Sequence, residues 1–221
     1  MIIVHHLENS RSQRILWLLE ELQLPYELRH YARDPVTGLA PPELKAVHPL
    51  GKSPVISDGD LVLAESGAII EYLVEHHGEG RLRPPAGSPE RLRYDYWMHY
   101  AEGSLMPLLV MLLIFNRIER APLLVRPIAR AISAKVKQGY LMPGITAAEA
   151  WIEQELAATG WFAGAGFSAA DIQMSFPIEA LHARAPRRDG RPHGRAFLER
   201  IHARPAYQRA LERGGPFSLL G

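Results

Sequence analysis

Four short stretches hold side chains that can do chemistry. The first is HLENSRSQRILWLLEEL, His6 to Leu22, where two serines, two arginines and an asparagine crowd the start of an apolar helical stripe. Ser10 lies between a strand and a helix. A helix start carries unpaired N–H groups and a partial positive charge, which stabilise an anion. A hydroxyl there can donate a hydrogen bond to a ligand thiolate. A free thiol titrates near pH ~8.5. Each unit of lowering needs about 1.4 kcal/mol, and one charged hydrogen bond supplies roughly 1.5 to 3 kcal/mol. One serine can therefore lower a thiol by one or two units. Ser10 and Gln13 also fit an S-x-x-Q capping box, so the same hydroxyl can instead close the helix start.

The second stretch is HPLGKSPVI, His48 to Ile56. Pro54 opens a strand, where it removes a ladder donor. A cis Ser53-Pro54 bond would turn the backbone of Val55 outward, free to pair with an extended peptide; a trans turn is the ordinary alternative. The third is ESGAII. Glu65 and Ser66 precede a helix, so Ser66 can hold a ligand carboxylate while Glu65 meets an amine, or Ser66 can simply be an N-cap. In the fourth, SAADIQ, Ser168 and Asp171 form a capping box before an apolar run, a role in folding alone.

Composition removes many chemistries. The 221 residues include no cysteine, which excludes disulfides, Cys-ligated zinc, CxxC redox chemistry and a cysteine nucleophile. Any thiol must come from a ligand. Lys plus Arg is 25 and Asp plus Glu is 24, so no overall basic field points to nucleic acid or a membrane. The basic stretch of Arg117, Arg120, Arg126, Arg130, Lys135 and Lys137 reads as a solvated face. Ten histidines include no set with metal-ligand spacing, so no metal is expected. The start, MIIVHHL, has no secretory pattern. The longest apolar run, LMPLLVMLLIF, has 11 residues, too few to span a bilayer. A cytoplasmic protein is expected.

These residues need elements to position them. IIVHHL reads as a strand. Ile15, Leu18, Leu19 and Leu22 make a helical stripe. Tyr26 to Ala32 reads as a second strand, and PPELKAV as a short helix opened by proline. PVISDGDLVLAE reads as two strands around Asp58-Gly59, followed by a helix from Ser66. The order β-α-β-α-β-β-α over residues 1–80 makes a small α/β domain whose first two strands are parallel. Residues 81–88 are a linker by composition. Residues 89–221 read as all-helical: a long helix over 90–115, separate helices over 126–141 and 145–160, and two more after Ser168. No internal repeat is apparent.

In this order the pieces resemble the cytosolic glutathione S-transferases, with the serine-type bacterial and fungal branches nearest. NSRSQRILWLLEELQLPYE, HPLGKSPVI and LAESGAIIEYL match the family's N-terminal signatures, and GWFAGAGFSAADIQM and RPAYQRAL match its C-terminal ones. The resemblance covers essentially the whole chain. It implies a thioredoxin-like N-terminal domain and an all-helical second domain. It implies glutathione as co-substrate, with Ser10 stabilising its thiolate and Lys52 near its glycine end. Ser53, the cis Pro54 and Val55 would meet its cysteinyl part, and Glu65 and Ser66 its γ-glutamyl group. The thiolate would add to a small hydrophobic electrophile, held between the domains against Tyr94, Trp97, Tyr100 and Met106. A homodimer is implied, in which Glu102 reaches a neighbouring site's γ-glutamyl amine. Peroxide reduction, isomerisation, dehalogenation and a non-enzymatic binding module are alternatives on the same fold.

Overall fold

The computed structural model describes residues 1–185 and 190–217, so the parts of the expected helical half at 186–189 and 218–221 lie outside the described residues. The β-branched opening forms β1 (Ile2–Leu7), and the apolar stripe folds α1 (Gln13–Leu22). That helix crosses over to β2 (Tyr26–Tyr31), which runs parallel to β1. α2 (Pro42–Val47) starts at a proline, whose fixed φ suits a first turn. β3 (Val55–Asp58) and β4 (Leu61–Ala64) form a hairpin in which Gly59 takes the positive φ that the turn requires. β3 also pairs antiparallel with β1, so the sheet order is β2-β1-β3-β4. α3 (Ser66–His77) follows directly on β4.

Ile15, Leu16, Leu18 and Leu19 of α1 are wholly buried, as are Val4 and Ile56 of the sheet and Ile69, Ile70 and Leu73 of α3. Each such side chain contributes roughly 1.5 to 3 kcal/mol by leaving water. Their cluster is continuous with that of the helical half, so one core holds both the strands and the helices that frame the site.

In the helical half, α4 (Pro89–Tyr100) runs through a π-helical turn at Ala101–Leu105 into α5 (Met106–Ile118). α6 (Arg126–Val136) runs through a second at Lys137–Leu141 into α7 (Met142–Thr159). The two helices expected over 126–141 and 145–160 are therefore one rod. Each π turn precedes a proline, and the residue four before it is glycine: Gly103 with Pro107, and Gly139 with Pro143. A proline ring collides with the carbonyl four residues earlier in an α-helix, and the wider turn relieves that contact. The stretches read GSLMP and GYLMP, a short repeat where none was expected. Leu105 and Leu141 are both fully buried, which anchors each turn in the core.

The continuous helix Pro89–Ile118 has 30 residues and is long and apolar enough to cross a membrane, unlike the shorter run read from the sequence. Here Tyr94, Trp97, Leu105, Leu109 and Leu112 bury one side of it in the core. α8 (Ala169–Arg184) is buried nearly all round and contacts α1, α3, α4 and α5. Its start carries the expected capping box, Ser168 with Asp171. α9 (Pro192–His202) and α10 (Pro205–Gly214) complete the described chain, and α10 lies along α1.

Candidate active site

α1 begins at Gln13, and no side chain caps it. The Gln13 amide group is buried without a hydrogen bond to protein. The capping box read at Ser10 does not form, which leaves the Ser10 hydroxyl for other partners. Ser10 is 7% exposed. Its Oγ stands 2.7 Å from Ser12 Oγ and 3.4 Å from Ser53 Oγ, and accepts the Ser12 N–H at 3.3 Å. Ser12 Oγ lies 2.8 Å from His6 Nδ1, and His6 Nε2 lies 2.9 Å from the carbonyl of Gly214 in α10.

The directions of these bonds follow from chemistry. Burial first, then His30, brings the His6 imidazole down to about 4, so it is neutral at pH 7. A carbonyl only accepts, so Nε2 carries the ring hydrogen and Nδ1 accepts from the Ser12 hydroxyl. Ser12 Oγ in turn accepts from Ser10. The Ser10 hydrogen ends this chain, and rotation about its C–O bond aims it at Ser12, at Ser53 or into the cleft.

The Ser53-Pro54 bond is cis. Lys52, Ser53, Pro54, Glu65, Ser66 and Glu102 all converge on one polar cleft of 240 Å³. Val55 does not. It is fully buried, one strand residue inside the sheet, in register with His5 of β1 and Ala64 of β4. Its backbone lies between two strands and is not turned outward, which corrects the expectation from sequence. Ser53 is the residue at the turn that meets the cleft, and its hydroxyl is held by donating to the His5 carbonyl at 3.0 Å. Glu65, just before α3, takes φ of 73°, a conformation that costs a non-glycine residue about 1–3 kcal/mol. Ser66 is the first helical residue and lies buried behind it.

Beneath this cleft lies a charged cluster. Arg14 is 1% exposed and donates to Glu102 Oε1 at 2.6 Å, to Gln173 Oε1 at 2.6 Å and to Ser66 Oγ at 3.4 Å. Arg11 donates to both Glu102 oxygens at 3.0 and 3.1 Å. Burial brings Arg14 down to about 10, which leaves it charged at pH 7. Burial alone would raise the Glu102 carboxyl, but Arg14 and Arg11 overcome this and hold it below its ordinary value. Glu102 thus sits in its own chain's cleft, bound to two arginines.

A larger cleft of 570 Å³ opens beside Ser10. Five cations line it, Arg11, Arg33, Lys45, Lys52 and Arg184, and no carboxylate does. Its apolar lining comes from Met106, Val110, Leu113 and Phe176, the last stacked against the Arg11 guanidinium at 5.0 Å. Ser53 belongs to both clefts. Of the four residues expected against an electrophile, only Met106 lines this space. Tyr94 is buried and donates to Glu71, Trp97 packs on Phe162, and Tyr100 stacks on Tyr96. Tyr94 and Trp97 turn into the core, Tyr100 is half-buried beside exposed Tyr96, and the cleft is lined by the α5 turns that follow the π bulge.

Several residues of the site escape sequence reasoning. His6, Gln173 and Phe176 carry no local motif. The clue to Arg11 and Arg14 is their placement one helical turn apart in the crowded opening stretch. His5 is held by Tyr31 and Ser57, and among the described residues no three His, Asp or Glu side chains stand as a metal group.

Residues 1–75 match the family described as glutathione S-transferase, N-terminal domain. The chain is 41% identical over 181 residues to glutathione S-transferase 3 of Schizosaccharomyces pombe, covering 81% of this chain and 74% of that protein. It superposes on the crystal structure of a glutathione S-transferase from Actinobacillus pleuropneumoniae with a TM-score of 0.79 and 33% identity, over 100% of this chain and 95% of that one. A theta class glutathione S-transferase from Xanthomonas axonopodis pv. citri, solved with glutathione bound, gives a TM-score of 0.71 and 27% identity, over 100% and 99% of the two chains.

Proposed function

The chain belongs to the glutathione S-transferase family and is a glutathione transferase; on that premise we propose that the polar cleft binds the tripeptide and the larger cleft holds a hydrophobic electrophile. One observation carries this reading: Ser10 lines a cleft whose other lining residues include five cations, no carboxylate, and the apolar side chains of Met106, Val110, Leu113 and Phe176. Ser10 donates to the glutathione sulfur, and a charged hydrogen bond of roughly 1.5 to 3 kcal/mol favours the thiolate by one or two units. His6 and Ser12 are positioning residues that keep the Ser10 oxygen in place. The surrounding cations add to the stabilisation of a bound anion.

Lys52 receives the glycine carboxylate. Ser53 at the cis turn receives the cysteinyl part, with Pro54 shaping the turn. The start of α3 and Ser66 hold the γ-glutamyl carboxylate, where unpaired helix N–H groups favour an anion. Glu65 takes the ammonium, and Glu102 holds Arg11 and Arg14 in place beneath it. Positioned so, the thiolate attacks an electrophilic carbon against Met106, Val110 and Leu113. Residues 1–80 supply the glutathione side and residues 89–221 the electrophile side. The protein works in the cytoplasm as a homodimer, a reading supported by exposed Leu61 and Val62 on the edge strand β4 and exposed Leu92 and Tyr96 on α4.

The assignment of the two clefts is tested by Val110→Asp. A carboxylate here raises the KM for a hydrophobic electrophile at least about tenfold, since the electrophile's apolar surface would then have to desolvate a charge. The KM for glutathione stays within about twofold. A rise in the glutathione KM with the electrophile KM unchanged would reverse the assignment.

A further inference from the structure

The α4–α5 rod and its return along α6 meet in a tip whose apolar side chains stand in water. Ile114 and Ile118 on α5, Leu124 in the connection, and Ile128 and Ile132 on α6 are all exposed, Leu124 by 95% and Ile128 by 65%. α6 rests on α5 through its other side. Ser133 is buried there and donates to Glu119 Oε1 at 2.8 Å, and Lys137 pairs with the same carboxylate. Ile128 and Ile132 lie about 100° to 140° around the helix from Ser133, so they face away from the body of the protein.

The rim of this patch is mostly basic, and Glu119 beside it is held by Ser133 and Lys137. From Arg120 to Ala148 the sequence holds five Lys and Arg and no Asp or Glu, in a chain whose net charge is only +1. Arg117, Arg120, Arg130 and Lys135 are exposed and form no ion pair among the described residues. Leu92, on the face proposed for the dimer, is 26 positions before Ile118 on the same rod, about 39 Å along it at 1.5 Å per residue. The tip is therefore a separate surface from that face.

We infer that this tip docks on an anionic membrane surface, with Leu124, Ile128 and Ile132 entering the acyl boundary and the cations meeting the headgroups. The charge rim decides between occupants. A second copy of the tip would bring two unpaired positive rims together, whereas anionic lipid complements both the apolar patch and its rim. The reading of this stretch as a solvated face took in its charges but not the isoleucines that the fold leaves exposed. Val110 and Leu113 line the electrophile cleft less than two turns from Ile114, so docking sets that cleft close to the lipid.

The test is co-flotation of the full chain with phosphatidylcholine vesicles, with and without about one third phosphatidylserine. The protein should float with the phosphatidylserine vesicles, and binding should weaken as salt is raised. Arg130→Gln and Lys135→Gln should each weaken it about fivefold. The pair Ile128→Ser and Ile132→Ser should lose at least about tenfold. Turnover of a water-soluble electrophile should be unchanged in all of these variants. Failure to float, equal binding to neutral vesicles, or a lower sedimentation mass in the isoleucine variant would overturn the inference, the last by showing that a second copy covers the patch.

Discussion

Ser10 acts through what stands behind it. Its oxygen is fixed by Ser12, and Ser12 by a His6 ring that burial keeps neutral. The sign of the resulting pH dependence is set by that ring. Its folded pKa of about 4 lies below the ordinary 6.5, so the unfolded chain binds the extra proton between those values. Stability from this site is complete above pH 6.5 and is lost as pH falls towards 4, by about 3 kcal/mol in total. Denaturant unfolding of His6→Gln over that window should show a pH slope shallower than wild type by about one proton. An unchanged slope would mean that His6 is charged in the native protein. Much of this site is legible in the sequence. Lys52, Ser53, Pro54, Glu65 and Ser66 sit in contiguous stretches where turn and helix-start chemistry identifies them. Val55 is misplaced by reading because pairing on both sides depends on strand order, which the local sequence does not carry. His6 is invisible because its partner, Gly214, is 208 positions away.

At the scale of elements, helix starts do opposite work in the two halves. At α8 the side chains satisfy the backbone: Asp171 accepts the Ser168 N–H and the Phe162 N–H at 2.8 Å each, and the Ser168 hydroxyl at 3.0 Å. At α1 and α3 the N-cap side chain makes no such bond and no capping box forms, and those are the ends that meet the cleft. Asp171→Ala strands two buried N–H groups and should cost about 2–4 kcal/mol in denaturant unfolding. A loss below about 0.5 kcal/mol would remove the capping box from the helical half's stability. The capping box was legible because its partners are three residues apart. The π turns were not: Pro107 lies inside a helix read as continuous over 90–115, and Pro143 reads locally as a break between two helices. Only burial of Leu105 and Leu141 makes a continuous rod the better solution.

At the scale of the molecule, the order of elements is what sequence patterning conveys best: seven elements over the first 80 residues, then helices. The walls between them are conveyed worst. Tyr94, Trp97 and Tyr100 looked like a substrate wall by composition, yet Tyr94 and Trp97 lie in the core, Tyr100 is half-buried outside the cleft, and Met106 lines it with Val110 and Leu113. Assembly belongs to this scale too. A dimer through β4 and α4 predicts a sedimentation mass near twice 24.7 kDa, falling to that of one chain when Tyr96→Asp and Leu92→Asp are combined. A wild-type mass near one chain would rule the dimer out.

The most direct measurement is an ultraviolet difference titration of bound glutathione in the wild type and in Ser10→Ala, since it reads the thiolate itself. With Ser10 as the donor, the bound thiol titrates about one to two units below the free value near 8.5, and the variant returns it towards that value. A lowered pKa that survives in Ser10→Ala would contradict the assignment and move thiolate stabilisation to the cations and the start of α1.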